Sequence, residues 1–503
     1  MSITDIIRHQ AIKRPENIFI YFADEAISFK TLENLTNKIA NGLIQRGFSS
    51  GKTAAVLMGN RPEAVLSFLA VTKMGGIAVP INPSLKEYEI GYILNNSQAE
   101  VLITIRQYLP LIQLLKPQCP FLRRIYMIGG KTPEGMISFE ELIQASGSPP
   151  VSVAKDANPA SIIYTQGVMG RPRGAVLTHQ NYQINAAQII RALHMDYEDV
   201  VMAVLPLSHV LAQVLTMFTP LYAGAAVVLM RGFSPYNFLP ALSQHKVTCF
   251  VGVPTIFAIL NNLPEIAMYD LSSLRLCVCG AAPLSVDIIE AFERRYQTSI
   301  LEGYGLTEAT CAVTINPIKG KRKIGSVGYP LHGIEIKIVD VNNNPLEPEQ
   351  EGEILIRSQT VMNGYFNDPN MTSEAIDPEG WLHTGDIGYL DEDGYLWIKG
   401  RAKEMIIRGG ENIYPREIEA VLEKEPRVDE VAVVGVPDPI WGEQVWAFMV
   451  LKTDATAQEE EIKEFCRIHL ADFKCPQVIK FVASLPKTAT GKVRKALLVQ
   501  TEQ

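Results

Sequence analysis

Several kinds of segment are missing from this chain. No unbroken apolar run reaches the ~18 residues that a membrane-spanning helix needs. Cysteine is sparse, seven in 503 residues, and no C-x-x-C pair occurs. Cys119, Cys249, Cys277, Cys279, Cys311, Cys466 and Cys475 lie mostly in apolar runs. That pattern predicts reduced, buried thiols in a reducing compartment, with no disulfide framework and no zinc site. A basic excess is also absent. The formal net charge is -8, which gives no footprint for nucleic acid and the wrong sign for an anionic membrane surface. The start, Met1 to Asp5, has no basic segment followed by an apolar core, so no signal peptide is expected. The last three residues, Thr501-Glu502-Gln503, are not a peroxisomal address. The expected location is cytoplasmic. No internal repeat or low-complexity tract is found.

What is present reads as a globular α/β chain. Its 503 residues exceed one typical core, and a 47% hydrophobic, 20% charged composition is that of a soluble protein. Apolar positions at helical spacing (Leu32, Leu35, Ile39, Leu43) begin near Ser28. Strand and helix patterns then alternate: Thr53 to Met58, Pro62 to Met74, Ile77 to Pro80, Glu87 to Asn95, Val101 to Ile105. This βαβ rhythm predicts parallel sheets covered by helices. Beyond Gly325 short strands and turns predict a β-rich subdomain. A further shift at Arg401 to Lys403 predicts a large N-terminal domain over residues 1–402 and a small, mobile α+β domain over residues 403–503.

One loop stands out. The β-branched run Ser161 to Thr165 breaks into Gln166-Gly167-Val168-Met169-Gly170-Arg171-Pro172-Arg173-Gly174 and resumes at Ala175-Val176-Leu177. Glycines let backbone amides approach an anion, and arginine presents a fork that suits phosphate oxygens. The residues alone fit an anion-binding loop and a plain Gly-rich hairpin turn equally well. The loop is not the G-x-x-x-x-G-K-[ST] of the common nucleotidases.

Other motifs follow in order. Leu205-Pro206-Leu207-Ser208-His209 ends one strand pattern, and Gly280-Ala281-Ala282-Pro283-Leu284 another, where small residues would let a flat base lie on the backbone. Tyr304-Gly305-Leu306-Thr307-Glu308 sets a hydroxyl beside a carboxylate, a pair suited to phosphate and to a hard cation. Thr384-Gly385-Asp386 and Gly400-Arg401 offer an ionised acceptor for two hydroxyls and a nearby cation. Arg408-Gly409-Gly410-Glu411-Asn412-Ile413-Tyr414-Pro415 places adjacent glycines before a helix start, and Thr488-Ala489-Thr490-Gly491-Lys492 lies in a basic tail.

In this order, from about Ser28 to Lys495, the motifs resemble the adenylate-forming superfamily: acyl-CoA synthetases, firefly-luciferase-like enzymes and the adenylation domains of peptide synthetases. The resemblance implies ATP and Mg2+ as requirements, a small-molecule carboxylic acid joined to AMP, and transfer of the acyl group to CoA. It implies a catalytic set of Lys492, Glu308, Thr307 and His209, with Glu308 on magnesium and His209 lining or gating the acyl pocket. Thr165, Gly167, Gly170, Arg173 and Gly174 would form the phosphate loop; Gly280, Ala281, Ala282, Tyr304 and Gly305 would hold adenine. Asp386 and Arg401 would hold ribose and phosphate, Gly409 and Gly410 the pantetheine arm, and Lys403 would be the hinge.

One motif departs from the family pattern. Where the family's phosphate loop has three central hydroxyl residues, this chain has Gln166, Val168 and Met169, and Arg173 replaces its lysine. A hydrogen bond to a charged partner is worth roughly 1.5–3 kcal/mol, so losing two predicts slower adenylation. The alternatives are loading of an acyl carrier protein and a catalytically weakened nucleotide- or acyl-binding homologue; a luciferase-like oxygenase shares the motifs. Apolar stretches at His209 to Leu215, Val253 to Phe257 and Gly303 to Ala309 predict a fatty or aryl acid.

Overall fold

A computed structural model describes residues 2–150, 154–165, 172–264, 266–408, 411–438, 441–488 and 491–500. Its strand Thr53–Leu57 is buried at every position, as a parallel strand is when helices cover both faces. It runs parallel to Ile77–Ile81 on one side and Val101–Ile105 on the other. Beyond Val101–Ile105 come Arg124–Ile128 and Ile137–Ser138; beyond Ile77–Ile81 come Pro159–Thr165 and Arg173–Thr178, completing seven strands. The last two form an antiparallel hairpin with Tyr164 opposite Gly174 and Thr165 opposite Arg173. Arg173 therefore opens the returning strand, two residues before the expected restart at Ala175.

A second sheet has nine strands, in the order Tyr329–Pro330, Ala312–Ile315, Ile300–Gly305, Leu276–Cys279, Cys249–Gly252, Val200–Ala203, Ala226–Leu229, Ile18–Phe22, Glu25–Ser28. Its central strands are parallel. The first strand of the chain joins it parallel to Ala226–Leu229, with Ile20 opposite Val227. Helix Ile3–Lys13 precedes that strand, capped by the Ser2 hydroxyl, which accepts from the Asp5 amide while the Asp5 carboxylate accepts from the Ser2 amide. The sequence pattern offered nothing before Ser28, because Ile18–Phe22 is a continuous apolar run with neither helical nor alternating period.

Helices Phe29–Gln45, Pro62–Lys73 and Glu87–Asn96 fall where their spacing predicts, and another spans His179–Leu193. From Val210 to Ala223 the helix is broken. Val210–Gln213 is α-helical, Val214–Phe218 widens to a π turn, and Thr219–Ala223 returns to α.

Packing divides the chain into one unit of residues 1–335 and 356–382 and a second of residues 336–355 and 383–503. The border expected after residue 402 runs inside the second unit. Strands Glu335–Val339, Gly352–Arg357, Leu382–Leu390 and Leu396–Arg401 form a four-stranded sheet, and most of their residues belong to the second unit. A change of sequence texture marks where these strands begin but not which body they pack with. The rest of the second unit is a five-stranded sheet with helices Pro415–Leu422 and Glu459–His469. Ile406, Ile418, Leu422, Val433, Val445 and Cys466 form its core.

All seven cysteines are free and buried. Among the described residues no helix is long and apolar enough to cross a membrane.

Candidate active site

Glu308 lies in the short 3-10 turn Thr307–Ala309, which follows the end of strand Ile300–Gly305. The carboxyl ends of parallel strands are where open α/β sheets bind ligands. Glu308 Oε1 accepts the Tyr365 hydroxyl at 2.9 Å and lies 3.5 Å from Thr165 Oγ1. The Glu308 carbonyl accepts from the Met362 amide at 2.8 Å, which ties the turn to the segment carrying Tyr365. Above the Tyr365 ring sits the Arg173 guanidinium, 5.8 Å from the centroid. Burial, and after it the Glu308 charge, raise the Tyr365 pKa well beyond the usual phenol range. At neutral pH the hydroxyl is therefore a donor.

Thr165 and Arg173 of the hairpin thus meet Glu308, 143 residues beyond Thr165, in one cluster. Tyr365 was missed by the sequence reading. Its only signal is the preceding Gly364, which has φ 87° and whose carbonyl accepts from Val176 on the hairpin.

The neighbouring positions are shaped by backbone proximity. A Cβ at Gly305 would lie 1.5 Å from the Cys311 carbonyl oxygen, so no side chain fits. Gly280 ends strand Leu276–Cys279 beside the Gly303 carbonyl, Ala281 adopts φ 70°, and Ala281 and Ala282 are exposed. Half-buried Tyr304 flanks them on the adjoining strand. Gly174 is required by packing, since a Cβ there would lie 2.6 Å from Ile162 Cγ2. Gly167 and Gly170, with Gln166, Val168, Met169 and Arg171, lie outside the described residues, as do Gly409 and Gly410.

His209 precedes helix Val210–Gln213, and its Nε2 is 3.2 Å from Asn82 Nδ2. The loop carrying it is clamped by Asn60, whose Nδ2 donates to the Leu205 carbonyl at 2.8 Å and whose Oδ1 accepts from the Leu207 amide at 2.9 Å. Beside this loop is a cavity of about 20 Å³ lined by residues that include Val65, Phe68, Ile81, Leu207, Gln213 and Met217. The expected wall at Phe257 belongs to the core instead: it is fully buried and packs between Phe250 and Phe292, ring centroids 5.4 and 5.1 Å away.

Within the second unit, Asp386 and Arg401 face each other on paired strands, with Arg401 Nε 3.1 Å from Asp386 Oδ1. Lys492 is held in a turn by its own backbone. Its carbonyl accepts from the Thr488 amide at 2.7 Å, and its amide donates to Thr488 Oγ1 at 3.1 Å. Solvent still reaches the Lys492 side chain. Desolvation by the surrounding chain, then the Arg401 charge, nevertheless lower its pKa, with Lys403 adding to the effect and Glu404 and Asp386 opposing it. The lysine thus shares one electrostatic neighbourhood with the Asp386–Arg401 pair. Lys403 is exposed, in the turn Ala402–Glu404 that follows Arg401.

Magnesium takes oxygen ligands, needs few from protein and keeps waters and phosphate oxygens. One carboxylate with two hydroxyls, as at Glu308, fits that requirement. Among the described residues no group of three or more His, Cys, Asp or Glu could hold a metal.

Comparison with known proteins gives the family. Residues 7–366 match the AMP-binding enzyme family and residues 417–492 the AMP-binding enzyme C-terminal domain. The chain is 34% identical to the long-chain-fatty-acid–CoA ligase of Bacillus subtilis (strain 168), over 100% of this chain and 94% of that one. It is also 34% identical to 4-coumarate–CoA ligase 1 of Petroselinum crispum, over 93% and 88%. Among solved structures, the anthranilate CoA ligase AuaEII in complex with anthranoyl-AMP aligns with a TM-score of 0.93 at 31% identity, over 100% of this chain and 97% of that one. The chain belongs to the AMP-binding enzyme family, the adenylate-forming superfamily of which the acyl-CoA ligases are part.

Proposed function

We propose that this AMP-forming acyl-CoA ligase activates a hydrophobic carboxylic acid, fatty or aryl, as acyl-AMP and then transfers the acyl group to CoA. The observation that carries the reading is the Glu308 cluster, a carboxylate flanked by the Thr165 and Tyr365 hydroxyls and an arginine. It supplies an oxygen ligand, phosphate donors and positive charge at the carboxyl end of a sheet.

In the first step an oxygen of the acid attacks the α-phosphorus of ATP and pyrophosphate leaves. Thr307, Thr165 and Arg173, with Gly167, Gly170 and Gly174, orient the phosphates; Glu308 would be the magnesium ligand, and magnesium would neutralise phosphate charge there. Tyr304 and Gly305, with Gly280, Ala281 and Ala282, hold adenine. Asp386 accepts the ribose hydroxyls once Arg401 yields part of its contact. Lys492 offsets the charge that gathers as two anions approach, an electrostatic contribution worth about 10²–10³ in rate. In the second step the CoA thiol attacks the acyl carbon and AMP departs. Gly409 and Gly410 line the path of the pantetheine arm, Lys403 is the hinge between the two steps, and the small domain of residues 403–503 is the moving part. His209 borders the acyl group.

A hydrophobic acid is supported by the apolar surroundings of Leu207 and Met217 and by the names of the relatives. The test is pyrophosphate exchange across acids graded from acetate to long-chain fatty and aryl acids, followed by thioester formation with free CoA or a pantetheinylated carrier. Medium, long or aryl acids should exceed acetate, and free CoA should serve. Exchange with acetate alone would refute the acid class. Thioester formed only on the carrier would refute the acceptor.

A further inference from the structure

We propose that Asn82 is a positioning residue that holds His209 as the neutral tautomer protonated on Nδ1. The inference rests on the placement of His209 beside the acyl group. Asn82 follows strand Ile77–Ile81, and its amide is not free to turn over. Its Oδ1 accepts the Ser84 backbone N–H at 2.9 Å, so the NH2 face is the one turned to His209, at 3.2 Å from Nε2. An amide nitrogen can only donate. His209 Nε2 must therefore be an acceptor without a proton, which leaves the ring proton on Nδ1.

An imidazolium would set N–H against N–H at this contact. Burial lowers the His209 pKa in the same direction, and among the described residues no charged group acts on the ring. The backbone is pinned as well: the His209 amide donates to the Pro206 carbonyl at 3.0 Å, and the loop behind it is clamped at both Leu205 and Leu207 by Asn60. Among the described residues Nδ1 has no hydrogen-bond partner, and the side chain is half-buried. The consequence is a rigid, uncharged donor, suited to an oxygen of the carboxylic acid or of its adenylate. A cationic ring there would instead hold the free carboxylate as an ion pair, which stabilises the ground state.

The test uses the full chain labelled with 15N in its imidazoles, with His209→Gln identifying the signal among the eight histidines. The wild type should show a protonated Nδ1 and an unprotonated Nε2 from about pH 6 to about pH 8. Asn82→Asp keeps the acceptor for Ser84 but replaces the donor with a carboxylate oxygen, so the single ring proton should move to Nε2 and leave Nδ1 without one. Its KM for the acid should rise on the order of tenfold, with KM for ATP unchanged, and that rise should vanish in a His209→Phe background. A protonated Nε2 in the wild type, or an unaltered pattern in Asn82→Asp, overturns the proposal. A KM rise that persists without His209 also overturns it, because the added charge alone would then be responsible. If the nitrogen pattern follows expectation while acid KM moves in neither background, the tautomer stands and the placement of His209 at the acyl group falls.

Discussion

The Tyr365 hydroxyl reaches Glu308 Oε1 at 2.9 Å across 57 residues of sequence, and the same ring lies under the Arg173 guanidinium. Tyr365 therefore links the proposed magnesium ligand to the proposed phosphate arm. Tyr365→Phe keeps the ring and removes its hydroxyl, the shorter of the two contacts to Glu308 Oε1. A hydrogen bond to a carboxylate is worth roughly 1.5–3 kcal/mol. The variant should thus lose about 10- to 100-fold in kcat/KM for ATP in pyrophosphate exchange, with thioester formation from supplied acyl-AMP nearly untouched. Equal loss in both half-reactions would show the tyrosine to be a general support.

Lys492 should matter for one step only. Lys492→Ala is expected to slow adenylation by about 10²-fold or more while still thioesterifying supplied acyl-AMP. Desolvation and the Arg401 charge lower its pKa, so the alkaline limb of adenylation should begin below the ordinary lysine value of 10.5. Arg401→Gln removes a lowering charge and should move that limb upward. A downward shift would contradict the assignment.

Glu302 gives a pH signature in stability. It is 8% exposed on strand Ile300–Gly305, and burial pushes its carboxyl up to about 7 from an ordinary 4.5, although the Gly325 amide and Arg322 pull the other way. A folded-state value above the unfolded one contributes stability that is full below about pH 4.5 and is lost as pH rises through about 7. Glu302→Gln should flatten this dependence, so that the variant gains on the wild type between pH 5 and pH 8 by a few kcal/mol, on the order of the shift itself. Parallel chemical denaturation at both pH values reads it. Curves that stay parallel would mean that the carboxyl titrates normally.

Gly305 is a test of backbone clearance. With a Cβ falling 1.5 Å from the Cys311 oxygen, Gly305→Ala should displace the Thr307–Glu308 turn and cost roughly 3 kcal/mol or more. Gly232, where an added Cβ meets nothing within 4 Å, is the control, and its alanine variant should be near neutral. Comparable melting temperatures for the two variants would refute the clearance argument.

Much of the architecture could be read from local pattern. The strand Val101–Ile105 and the helix Glu87–Asn96 lie at or within a residue of their apolar spacing, because each buries one continuous surface. Motif order likewise names Glu308, Asp386 and Lys492 as candidates. Relations set by tertiary closure could not be read: Tyr365 meeting Glu308, Asn82 meeting His209 across 127 residues, and the packing of residues 383–401 with the second unit. Phe257 looked like a pocket wall because an apolar residue after a strand has the same sequence signature whether it faces ligand or core. The altered hydroxyl positions of the proposed phosphate loop lie outside the described residues and are known from sequence alone. Gln166→Ser with Val168→Thr and Met169→Thr would measure what those hydroxyls contribute to KM for ATP.

The strand Ile18–Phe22, seated beside Ala226–Leu229, has a consequence for how the chain is made. Its antiparallel neighbour Glu25–Ser28 is made at once, but its parallel partner is synthesised about 200 residues later, ten seconds or more at ~5–20 residues per second. Until then an apolar edge waits unpaired, in the state most prone to aggregation. Closing so long a loop is slow, so the final docking of the first 28 residues should limit the rate at which the nine-stranded sheet is completed.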